Sequence, residues 1–220
     1  MRGVAGKLLA AWFRLRNFLW CTLRGSTAPR ADIGENTILL NCNVWKSRSG
    51  NNEIVIGRDC TIRGLRISFN GNNNHIHVAD RVRIYEGLSI EFDADDCELR
   101  IGAQTTVGEA SMFFGESATR ISFGGDCMLS RGIRVSTSDY HAIRDRTSGE
   151  RLNPPRDVTI ADRVWIGNGV LLNKGAAVGA ESVIASRAVV SKAYPQTNVI
   201  IAGVPGRVIR ENIVWSRDKY

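Results

Sequence analysis

The chain has 220 residues, among them 22 glycines and 5 prolines, and its 29 lysines and arginines against 22 acidic residues give a formal charge of +7. That length fits one domain of ordinary size with enough chain to bury a core, and the glycines suit a fold of many tight turns. The 5 cysteines, odd in number and without a CxxC pair, argue against a disulfide framework or a zinc ribbon and fit a reducing compartment.

Residues 1–25 read as a basic amphipathic helix. Val4, Leu8, Ala11, Trp12, Leu15, Phe18, Leu19 and Leu23 share one broad face, with Lys7, Arg14, Asn17 and Arg24 opposite and Arg16 at the margin. The first 24 residues carry Arg2, Lys7, Arg14, Arg16 and Arg24 and no acid, so most of the net charge sits there. Two readings stand side by side: an interfacial anchor on anionic lipid, or a cap over the open end of the domain that follows. The apolar stretch "LLAAWF" is short, arginines follow it at once and no small-x-small site comes next, so a signal peptide is not expected. No stretch reaches the roughly 18 apolar residues of a spanning helix. The expectation is a cytoplasmic protein, in peripheral contact with the inner membrane where the helix binds lipid.

Residues 26–202 carry a six-residue grammar. "EIVIGRDCT", "HIHVADRVR", "ELRIGAQTT", "RISFGGDCM" and "DVTIADRVW" align on Ile56, Val78, Ile101, Phe123 and Ile160, each with a further inward residue four places on (Cys60, Val82, Thr105, Cys127, Val164). From Ile160 the pattern is strict: Ile160, Ile166, Leu172, Val178, Ile184 and Val190 open successive hexads, and Val164, Val170, Ala176, Ser182 and Ala188 keep the fifth place small. A period of six fits neither an α-helix nor a plain amphipathic strand; it predicts an all-β parallel β-helix. The first three intervals, 22, 23 and 22 residues, exceed three hexads, and the surplus falls in the polar corners "NGNNN", "FDADD" and "FGESA".

The next interval, 37 residues, holds a loop from Ser136 to Asp157. A long loop thrown out of a rigid stack is either a functional element or a tolerated insertion. It contains His141, one of 3 histidines. Imidazole, ordinarily near pKa 6.5, is well matched to taking a proton from an alcohol at neutral pH; alternatively this is an incidental loop residue. His75 and His77 flank Ile76 and point outward together. A zinc site built from them would need His141 as its third ligand, and no carboxylate spacing supports one, so no metal is expected.

Trp165 precedes the inward Ile166 and so faces out, as a subunit contact or part of a site. After Pro205, "RVIRENIVW" predicts a short helix within the 203–220 tail. Arg207 and Arg210 would lie about one turn apart, for phosphate binding or as a solvated face. Basic residues are not interleaved with aromatics on any strand face, so no nucleic-acid partner is expected.

The order of "DRVWIGNGVLLNKGAAVGAESVIASRAVVSKAYPQTNVIIAGVPGRVIR" resembles the C-terminal half of the left-handed β-helix, or hexapeptide-repeat, acyltransferases. With "STSDYHAIRDRTSGERLNPPRD" and "RENIVWSR" it is most similar to the bacterial capsule O-acetyltransferases, including those acting on polysialic acid. The resemblance implies a left-handed coil, a homotrimer, acetyl-CoA lying between neighbouring prisms and a glycan acceptor arriving from the other end. His141 matches the catalytic base and Trp165 the tryptophan beside the reacting centre. Asp139 would orient the imidazole or meet the substrate. Gly167, Ala185, Lys192, Gly203, Pro205, Arg207 and Arg210 fall among the cofactor-binding positions. The chain departs from the pattern at "GVPGR", where Ala usually follows Pro, and at "LNKG", where Pro-Gly is commoner. Direct transfer follows, with His141 as base and backbone N–H groups or the Trp165 indole as oxyanion donors; no cysteine sits as a nucleophile. Two other readings remain: N-acetylation of a nucleotide-linked amino sugar, and a non-catalytic β-helix scaffold.

Overall fold

The computed structural model describes residues 21–24, 29–46 and 50–218. They wind into a parallel β-helix in which each coil lays short strands onto the coil before. One wall is an eight-stranded sheet and the other two form a continuous fifteen-stranded one. The strict hexads show how this works. Trp165–Ile166, Val183–Ile184 and Ile200–Ala202 stack on a first face, Ile133–Ser136, Leu171–Leu172 and Val189–Val190 on a second, and Val158–Ile160, Ala177–Val178 and Ala193–Tyr194 on a third. Every hexad-opening aliphatic from Ile160 to Val190 is buried, and Val164, Val170, Ala176, Ser182 and Ala188 at the fifth place are wholly buried. The six-residue period is thus the period of side chains that reach the axis.

The earlier coils are wider. Their surplus residues form polar corners, and the added width admits a stack of Phe69, Phe92 and Phe114, with successive ring centroids 5.2 and 4.5 Å apart. Thr137, whose N–H pairs with the carbonyl of Phe113, takes the next place in that column, and its hydroxyl lies 3.0 Å from that of Thr119. At this seam between wide and narrow coils the chain leaves the prism for the long loop, returning at Val158.

At one corner each coil turns through a single left-handed residue. Asn36, Asp59, Arg81, Gln104, Asp126, Arg163, Glu181 and Asn198 form this column, with φ between 53° and 64°. Such a conformation is uncommon outside glycine, and from Asp59 onward each N–H bonds a carbonyl of the preceding coil, as Arg163 does to Gly125 at 2.8 Å.

Two expectations are corrected. The short helix of the tail is a strand, Arg207–Arg210, antiparallel to Ile200–Ala202. A helix would leave the edge of the last coil unpaired; instead the chain reverses through Gly203 (φ 94°) and Gly206, and Arg207, the β-branched Val208 and Arg210 pair with Ala202, Ile201 and Ile200. The basic helix expected over 1–25 falls mostly on residues 1–20, outside the described residues. Its last part, Cys21–Arg24, is a strand paired in parallel with Cys42–Trp45, so the β-helix begins before residue 26.

Candidate active site

The loop is a compact hairpin. Arg144 and Arg151 form an antiparallel bridge, and the Asp145 carboxylate closes the tip by accepting the N–H groups of Thr147 and Ser148, each at 2.8 Å. Arg151 forks onto Glu116 of the coil wall at 2.6 and 2.7 Å, and that pairing holds the Glu116 carboxyl below its ordinary range.

His141 lies near the start of the hairpin, exposed, with its N–H donating to the carbonyl of Asp139 at 2.7 Å. Asn153, on the returning strand and 8% exposed, is the hub beneath it. Its Nδ2 donates to the His141 carbonyl (2.9 Å) and to Asp139 Oδ2 (2.8 Å), while its Oδ1 accepts the N–H of Ile143 (2.6 Å). The main chain around His141 is therefore held, while the ring makes no hydrogen bond among the described residues. The Asp139 carboxylate does not orient that ring: it turns to Lys174 Nζ, 2.6 Å away, and to Asn153, which together lower its pKa.

Trp165 belongs to the first face, away from the corner between the second and third faces where the loop emerges. The residue is 39% exposed, and its ring packs at 44° against that of Trp215, centroids 6.2 Å apart. Trp215 arrives on the tail, which runs back over the left-handed corner. Its indole Nε1 donates to the carbonyl of Arg163 (2.8 Å), and Arg217 reaches Asp126 (2.8 Å) and Thr106 (3.0 Å) farther along. Arg163 itself bridges Glu181 at 2.7 Å and Asp126 at 2.5 Å.

Gly167 and Ala185 follow the inward Ile166 and Ile184, as Ala202 follows Ile201, and so lie above one another in a smooth strip at the corner between the first two faces. A Cβ on Gly167 would stand 2.6 Å from the Ser186 nitrogen. Gly203 and Pro205 form the end turn, pinned where Tyr194 donates its hydroxyl to the Gly206 carbonyl. The irregular register sets Arg207 opposite Ala202 and Arg210 opposite Ile200. Directly paired residues project to one side of a sheet, so both arginines share the outer face as strand residues. Lys192 lies apart from them, one coil from Lys174, with Nζ 5.4 Å from the Tyr194 ring centroid.

The expected residues thus fall into two groups. His141 and Asp139 sit at the loop corner, with Lys192 on the same edge of the prism; Trp165, Gly167, Ala185, Gly203, Pro205, Arg207 and Arg210 line the first face and its end. No hydrogen bond, ion pair or ring contact joins the two groups within one protomer. Sequence reasoning singled out none of Lys174, Asn153 and Trp215; it quoted "LNKG" and "RENIVWSR", which hold the first and the last, only as motifs. Cys42, Cys60, Cys97 and Cys127 are buried, and burial pushes the Cys127 thiol up to about 11, far from a nucleophile's range. Among the described residues no three His, Cys, Asp or Glu side chains converge as a metal site requires.

No family model matches the chain. It is 36% identical over 184 residues to a polysialic acid O-acetyltransferase of Neisseria meningitidis, covering 84% of each. The chain belongs to the polysialic acid O-acetyltransferase family. A solved structure of the polysialic acid O-acetyltransferase OatWY matches with TM-score 0.69 at 34% identity, covering 91% of this chain and 89% of that one. The polySia-specific acetyltransferase NeuO matches with TM-score 0.75 at 28% identity, covering 90% of each. Membership of the polysialic acid O-acetyltransferase family makes the β-helix an enzyme fold here and its chemistry acetyl transfer, and sets aside the scaffold reading.

Proposed function

We propose that this acetyltransferase moves an acetyl group from acetyl-CoA to a hydroxyl of a sialic-acid-type surface glycan, with His141 as general base. The observation that carries the reading is the exposed, unpartnered imidazole on a main chain held from both sides. The ring takes the hydroxyl proton as the sugar oxygen attacks the thioester carbonyl. The tetrahedral oxyanion collapses with loss of the CoA thiolate, which receives the proton. General-base assistance is worth on the order of 10²–10⁴ in rate, and holding the two reactants together contributes much of the rest.

The donor is proposed to lie along the strip of Gly167 and Ala185, where small side chains let a pantetheine arm approach the backbone, with Arg207 and Arg210 on its phosphorylated end. Since the two groups occupy different parts of a protomer, the site is completed in a homotrimer, the first face of one copy meeting the loop corner of the next. The strongly basic residues 1–24 support a cytoplasmic place at the inner membrane, where a lipid-linked glycan is built.

Incubating the purified protein with radiolabelled acetyl-CoA and either polysialic acid or a nucleotide-linked amino sugar tests the reading. Alkali-labile label on the polymer is expected; stable amide label on the amino sugar, with none on the polymer, would replace it by N-acetylation.

A further inference from the structure

Lys174 sits on a tight corner of the solenoid. Ala176 N–H bonds the Asn173 carbonyl (3.0 Å) and Gly175 N–H bonds the carbonyl of Asp157 (3.0 Å), the last loop residue. Its side chain is 17% exposed, and its ammonium meets three oxygens: Asp139 Oδ2 at 2.6 Å, the Asn153 carbonyl at 2.9 Å and the Pro154 carbonyl at 3.2 Å. An ammonium has three protons, so the group is saturated, with acceptors from the outgoing end of the loop and from its return. Two of these residues also touch the segment that carries the imidazole. The Asp139 carbonyl accepts the His141 N–H, and the Asn153 amide donates to the His141 carbonyl.

We propose that Lys174 is a positioning residue for this active site, a cation on the rigid coil that clamps both ends of the loop and so sets where the His141 ring stands. The inference rests on the reading of His141 as the base. It also gives a reason for "LNKG": a proline there would supply neither charge nor reach.

The test compares Lys174→Met and Lys174→Arg with wild type and with His141→Ala, reading kcat, KM for acetyl-CoA and thermal stability. Displacing a reacting group by about 1 Å can cost on the order of 100-fold. Lys174→Met is therefore expected to lose about 10- to 100-fold in kcat with KM for acetyl-CoA unchanged, and Lys174→Arg to recover most of it. Asp139→Asn combined with Lys174→Met should lose no more than the worse single variant, because the two act as one unit. If Lys174→Met gives no soluble protein, Lys174→Gln, which removes the charge but keeps a donor, is measured with the same expectation. Wild-type kcat in the charge-removing variant overturns the inference alone. Activity surviving in His141→Ala overturns the reading of the site and the inference with it.

Discussion

The indole of Trp215 lies 6.2 Å from that of Trp165, on a tail that has travelled back from the last coil to reach it. Trp215 is 6% exposed while Trp165 remains 39% exposed, so the buried ring backs the accessible one. Truncating a buried tryptophan typically costs 3–5 kcal/mol. Trp215→Ala is therefore expected to lower the melting temperature by several degrees. It should also reduce kcat by freeing the Trp165 ring, whereas Trp215→Phe keeps most of both. Full kcat in a destabilised Trp215→Ala would separate the tail from the chemistry.

Acid should release the loop. The Arg151 fork depresses Glu116, and the hydrogen bonds of Lys174 and Asn153 depress Asp139. A carboxyl lowered in the folded state contributes stability above its unfolded pKa, about 4, and loses it as pH falls through the folded value. The melting temperatures of wild type and Glu116→Gln should differ at pH 7 and converge toward pH 3. A gap that stays constant over that range would show that the ion pair contributes nothing.

Much of this architecture was legible because one physical requirement repeats: an aliphatic side chain must reach the axis at every hexad, and Ile160, Ile166 and Leu172 record it. The wide coils were legible as surplus polar corners, though not the Phe69–Phe92–Phe114 stack that fills them. The tail was misread because Val208, Ile209 and Val214 suit a short helix as well as a strand, and only the open edge at Ile200–Ala202 decides between them. In the site, His141 and Trp165 stood out by residue type. The pairs Asp139–Lys174 and Trp165–Trp215 each join a residue of the repeat to one outside it and distant in sequence, so no spacing announces them.

The separation of His141 from Trp165 predicts complementation between copies. His141→Ala and Trp165→Ala, each expected to be nearly inactive, should regain transfer when co-expressed, since about a quarter of the interfaces in a randomly mixed ring would pair two intact residues. Size-exclusion chromatography with light scattering would report the assembly. A mixture as inactive as its parents, in verified mixed oligomers, would place the whole site in one protomer.

The most direct measurement is the rate of acetyl transfer to polysialic acid by His141→Ala, set beside its melting curve and its affinity for CoA. The expected result is a loss of at least about 100-fold with melting and CoA binding unchanged. Transfer at the wild-type rate would contradict the role given to this imidazole.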